Sequence, residues 1–115
     1  MNDGAGTTLL DRLMARQTAE RARTAAARAR RVLDQLRQRG VEAKLVGSLA
    51  RGSFMAHSDV DFLIVSCPHK LKYALEAGIE NVILELPFDC IYLDEVRPPF
   101  RDRLLAEARD APAGG

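Results

Sequence analysis

From Thr8 to Arg39 the chain contains neither Pro nor Gly, and Ala, Arg, Leu and Gln dominate, a composition that favours one long helix. Ala22, Ala25, Ala29, Val32, Leu33 and Leu36 recur at helical spacing and predict an apolar stripe packed against the rest of the fold. Thr8, with Asp11 three residues on, reads as the helix start, and Gly40 as its C-terminal stop. Leu9, Leu10, Leu13 and Met14 form a second apolar patch. A helix of about thirty residues runs about 45 Å, longer than a small domain can cover, so part of it must project, bend or pack on another chain.

Beyond Gly40 the period changes. Val41, Ala43 and Leu45 alternate with Lys44 and Val46, which predicts a first strand over 41–46. Residues 48–52 are expected to form a short helical turn and 53–57 a loop. A second strand over 59–65 then pairs antiparallel with the first. A helix is expected over 69–76 and another turn or helix over 79–85, with the interruption at Gly78 and the stop at Pro87. A third strand follows over 88–93, after a turn-like Arg97-Pro98-Pro99 comes a last helix over 100–109, with Phe100, Leu104 and Leu105 inward. The organisation expected is thus a frayed start and a long basic helix over 1–39, a catalytic unit over 40–110 and a disordered tail over 111–115.

The formal charge of +1 hides an asymmetry: residues 1–39 hold nine Arg against four acids, and residues 40–115 eight basic against twelve acidic residues. The pattern suggests a basic arm on an acidic body. The arginines are distributed around the helix with no aromatic among them to stack on bases, so a solvated surface is the default reading and nucleic acid is not the first partner expected; the sharper alternative is a docking surface for an acidic partner or, second to it, RNA. No apolar run is long enough to span a bilayer, and the first residues lack a signal peptide's charged and apolar regions; a cytoplasmic protein is expected. Cys67 and Cys90 have no zinc-site spacing. Cys90 reads as a small core residue and Cys67 as a free thiol.

The chemistry concentrates in Gly47–Val65, GSLARGSFMAHSDVDFLIV. On a strand, Asp59 and Asp61 point to one face about 7 Å apart, while Val60 and Phe62 face the other way. Two carboxylates on one face suit a divalent metal. The turn at Gly47 and Ser48 offers backbone N–H groups and a hydroxyl suited to phosphate. Asp89 is an acid at the head of the apolar run Phe88–Leu93, where a buried charge would need a partner or a metal. Asp94 is the fallback third acid. His57, a loop histidine without an evident partner, is left outside the site.

The spacing G-S-x-A-R-G, five residues, S-D-x-D-[LF] resembles the signature of the minimal nucleotidyltransferases of the DNA polymerase β superfamily. Gly47, Ser48, Ala50, Arg51, Gly52, Ser58, Asp59 and Asp61 occupy its fixed positions, and Phe62 stands where Leu is usual. The resemblance covers about residues 40 to 109. It implies an α/β (α+β) polymerase-β-type nucleotidyltransferase fold: a small mixed sheet of three or more strands flanked by helices, with the long N-terminal helix added. It also implies Asp89 as third carboxylate, two Mg²⁺ held by Asp59, Asp61 and Asp89, and a nucleoside triphosphate, ATP first, contacted by Gly47, Ser48, Arg51, Gly52 and Ser58. Minimal members commonly accompany a HEPN toxin, adding AMP to one of its tyrosines and silencing its RNase. That makes a HEPN protein the expected acceptor and partner, with homo- or hetero-oligomerisation through the N-terminal helix. The competing readings are transfer to a small molecule such as an aminoglycoside, and a non-catalytic antitoxin that blocks its partner by occlusion.

Overall fold

The structure is a computed structural model that describes residues 7–114; the start expected to be frayed lies, apart from Thr7, outside the described residues. Helix α1 spans Leu9–Gln38 and opens on a capping box. The Asp11 amide donates to Thr8 Oγ1 at 3.0 Å and the Thr8 amide to Asp11 Oδ2 at 3.1 Å, so two of the helix's unpaired amides are satisfied reciprocally. Gly40, at φ +82°, lets the chain leave the helix.

Strand β1 (Glu42–Val46), the short helix α2 (Gly47–Arg51) and strand β2 (Val60–Ser66) follow. A 3₁₀ turn at His69–Leu71, helix α3 (Leu75–Ile83), strand β3 (Phe88–Tyr92), a second 3₁₀ turn and helix α4 (Pro98–Glu107) complete the chain. The sheet order is β1-β2-β3, with β1 antiparallel and β3 parallel to β2. It is therefore a small mixed sheet with a long N-terminal helix. The parallel step needs a crossover connection, and α3 supplies it.

Helices α1 and α3 cover one face of the sheet. Ala25, Ala29, Val32, Leu33 and Leu36 of α1 meet Ala43, Leu45, Val60, Phe62 and Ile64 of the sheet and Leu75, Ile79 and Ile83 of α3 in one core. The stripe read from the sequence is thus the stripe that is buried. Full burial of a side chain such as Leu33 or Phe62 stabilises the fold by about 1.5–3 kcal/mol. Val46, Asp61 and Leu63 alternate to the opposite face.

Three local expectations change. Gly78 does not interrupt a helix: α3 runs through it because Leu75, Ile79, Val82 and Ile83 bury one continuous face. The break falls earlier, at Tyr73, whose φ is +67° and whose amide donates to Tyr92 Oη at 3.1 Å. Pro98 and Pro99 open α4 instead of preceding it, because a proline at the first helical positions gives up no helical hydrogen bond. Phe100 and Leu105, expected inward, are 51% and 43% exposed: α4 buries none of its residues, and its apolar side chains do not line up on one face. Past α4 the chain is fastened by its backbone. Leu45 and Arg109 exchange amide hydrogen bonds of 2.8 and 2.9 Å, Pro112 is buried, and the Ala113 amide donates to the Leu49 carbonyl at 3.3 Å, where composition suggests a loose tail.

Candidate active site

The site begins where β1 turns into α2 without a spacer. Gly47 takes φ +77°, and a Cβ built on it would collide with Asp61 Oδ2. Only glycine fits: the backbone is left-handed and the space a side chain would need is filled by the Asp61 carboxylate. Register explains the approach, since Val46 is the antiparallel partner of Asp61. Gly52, at φ +83°, closes α2, and its amide donates to the Ser48 carbonyl. That carbonyl also accepts from the Ser53 amide at 2.9 Å, so the turn from Gly47 to Ser53 is a closed, short unit.

The return loop ends in a second lock. Ser58 Oγ accepts from the Met55 amide at 2.8 Å, and the Ser58 amide donates to the Met55 carbonyl at 3.1 Å. Ser58 thus shapes the entry to β2, and its hydroxyl oxygen is engaged within the loop. Asp59 follows, exposed, and Asp61 sits half-buried on the strand. Across the parallel ladder Asp61 is the register partner of Asp89, about 4.8 Å away between strands. Phe88, one residue earlier, packs edge-on to Phe62 with ring centroids 6.5 Å apart and so anchors the start of β3 beneath the exposed Asp89.

Electrostatics shows how crowded the corner is. The Asp61 carboxyl is pushed up from 3.8 to about 6, first by burial, then by the negative charges of Asp89 and Asp59, with Arg51 pulling the other way. Arg51 is itself exposed and 3.7 Å from Glu107. Asp94, the fallback acid, is elsewhere. It lies beyond the far end of β3 and pairs with Lys72 at 3.0 Å. Asp59, Asp61, Asp89, Arg51, Gly47 and Ser48 therefore share one end of the sheet. His57 is exposed nearby with no hydrogen-bond partner among the described residues. Cys90, next to Asp89, is partly buried against the core, its thiol pushed up to about 12 by burial and then by Glu76 and Asp89.

Among the described residues no three acid, His or Cys side chains are already drawn together as a closed ligand set for a metal ion. The donors nonetheless suit a hard divalent cation. They are carboxylate oxygens, the type that Mg²⁺ takes, and at Asp61 burial and then the neighbouring charges of Asp89 and Asp59 disfavour the bare anion.

Residues 27–111 match the family described as Nucleotidyltransferase domain. A solved structure whose chain is assigned as a minimal nucleotidyltransferase is 28% identical, with a TM-score of 0.64 over 76% of this chain and 93% of that one. No curated protein sequence matches. A match over most of the chain, on a sheet that carries its acids beside a Gly-Ser turn, identifies the protein as a member of the nucleotidyltransferase domain family.

Proposed function

We propose that the protein transfers a nucleoside monophosphate, AMP from ATP, to a protein hydroxyl, and that the acceptor is a tyrosine of a HEPN RNase toxin. Nucleotidyl transfer in general follows from family membership; the acceptor, the base and the metal are our reading. The observation that carries it is the approach of the Asp61 carboxylate to Gly47, in ladder register with Asp89. This approach sets the acids against the turn that would receive phosphate.

In this reading Asp59, Asp61 and Asp89 would hold Mg²⁺, and the chemistry it would supply when bound is neutralisation of triphosphate charge and a lowered pKa of the acceptor hydroxyl. The chain's own groups do the rest. Backbone amides at Gly47 and Ser48 bind the terminal phosphates, Arg51 adds positive charge beside them, and Gly52 permits the tight return of the loop. Asp89, exposed at the mouth, accepts the proton of the acceptor hydroxyl. The hydroxyl oxygen bonds to the α-phosphorus, the bond from that phosphorus to the bridging oxygen breaks, and pyrophosphate leaves with the electron pair.

The test is incorporation of label from α-labelled ATP into a co-expressed HEPN-type RNase, the product of the neighbouring reading frame being the first to try, read by intact-protein mass. One added adenylate with wild type and none with Asp59→Asn is the expected outcome. Equal labelling by both, or labelling abolished by Asp94→Ala but not by Asp89→Ala, would overturn the assignment of the acids.

A further inference from the structure

Arg12, Arg16, Arg23 and Arg30 follow one another on α1 at spacings of four, seven and seven residues. At 3.6 residues per turn they share one face of the helix and run along about 27 Å of it. Arg28 lies on another face, where it donates to the Ile83 carbonyl and to Glu85 at 3.1 Å, and Arg37 pairs with Asp34. None of the four arginines in the row has an ion-pair partner among the described residues. Alanines Ala15, Ala19 and Ala26 lie beside them, so little side-chain bulk stands between the guanidinium groups and anything approaching.

The row borders a cleft. Arg23 and Arg30 line a cavity of about 450 Å³ between α1, α2 and the C-terminal segment at Ala113 and Gly114, together with the apolar Ala22, Ala26, Leu49 and Phe54. An apolar floor edged by cations recognises a ligand that is apolar at its centre and anionic at its flanks. Phe54 is buried, and no exposed aromatic ring stands along the row to stack on a base, which counts against a single-stranded nucleic acid. Arg12, Arg16 and Arg23 also precede residue 27, where the family match begins, so the row belongs largely to what this chain adds to the shared unit.

We propose that the cleft between α1 and α2 seats an acidic, amphipathic segment of a partner protein, with one apolar side chain in the cavity and carboxylates along the arginine row. The proposal goes beyond the transferase reading, because docking here needs neither nucleotide nor metal. It also places the partner beside α2, next to the turn carrying Gly47.

The test uses the full chain and a fluorescein-labelled synthetic peptide of Glu and Leu, with a Lys and Leu peptide and a single-stranded RNA oligonucleotide of similar length as competitors in solution anisotropy. The Glu and Leu peptide is expected to bind saturably, and more weakly as salt rises. Arg16→Glu/Arg23→Glu/Arg30→Glu is expected to weaken it about tenfold or more. Ala26→Phe, which fills the cavity and leaves every charge in place, is expected to weaken it while the peptide's salt dependence persists; it tests the site even where the triple variant folds poorly. The thermal shift produced by MgATP should be unchanged in both variants, so a failure here is distinct from a failure of the transferase reading. Equal peptide affinity in wild type and variants, no saturable binding, or tighter binding of the RNA lost in the same triple variant would each overturn the proposal.

Discussion

At one end of the sheet Lys72 lies 3.0 Å from both Asp94 and Glu95, and Tyr73 donates its hydroxyl hydrogen to Glu95. The Lys72 ammonium is held above its ordinary range by Asp94 and then Glu95. At the other end Asp59, Asp61 and Asp89 crowd together with Arg51 as the opposing charge, and Asp61 is driven up to about 6. The same strands thus end in a set of charges that satisfy one another and in a set that do not. Crowded carboxylates without a cationic partner of their own mark candidate functional sites, and the second set has that character where the first does not.

The largest effect is expected from Gly47→Ala. The new methyl meets Asp61 Oδ2 and the backbone is held left-handed, which should cost about 1–3 kcal/mol in urea unfolding and remove the thermal shift caused by MgATP. A retained shift would mean that the turn is not against the ligand.

Asp61→Asn sharpens the contrast from the other side. Because the folded pKa of Asp61 lies above the value of 3.8 expected unfolded, the folded state binds the extra proton between the two, and this residue makes wild-type stability fall as pH rises from 3.8 to about 6. The variant escapes that penalty. It should be more stable than wild type by about 1 kcal/mol above pH 6, a figure discounted for the half-exposed site, and no more stable below pH 4. Mg²⁺ should raise the melting temperature of wild type and not of the variant, and the variant should lose transfer. Destabilisation at pH 7.5 would refute the account of a carboxylate penalised by burial and then by its like-charged neighbours.

Lys72→Met acts on the satisfied end. It should lower the melting temperature modestly, less so in high salt, and leave the Mg²⁺ response intact. A lost response would join the two ends that the structure separates. The smallest effect is chemical: Cys90, pushed up to about 12, should alkylate slowly at pH 8. Rapid reaction would show that the strand beside Asp89 opens.

Much of this was legible because it depended on neighbours in sequence. The α1 stripe, the capping box, the antiparallel β1–β2 pair and the Gly-Ser turn all follow from periodicity and turn chemistry within a few residues. The breaks around α3 were not, since Gly78 is tolerated where a buried helical face continues and Tyr73 is held by Tyr92, nineteen residues away. Phe100 and Leu105 misled for a related reason. Apolar character predicts burial only where another element arrives to cover it, and among the described residues none covers Phe100 and Leu105, although Leu104 between them is half-buried. The arginines read as scattered because the whole helix carries them; the row emerges once α2 and its cavity mark one side of α1.

By itself the sequence determined the elements of the acid end: a Gly-Ser turn closing β1, two acids two residues apart at the entry to β2, and a thirty-residue helix ahead of them. Each is a consequence of local geometry, the two-residue period of a strand and the 1.5 Å rise of a helix. Only the tertiary structure put Asp89, which the sequence ranked ahead of Asp94, in ladder register with Asp61, because parallel register is fixed by how α3 carries the chain back over the core. It alone also decided that Gly47 must be glycine, a matter of one carboxylate arriving from a neighbouring strand.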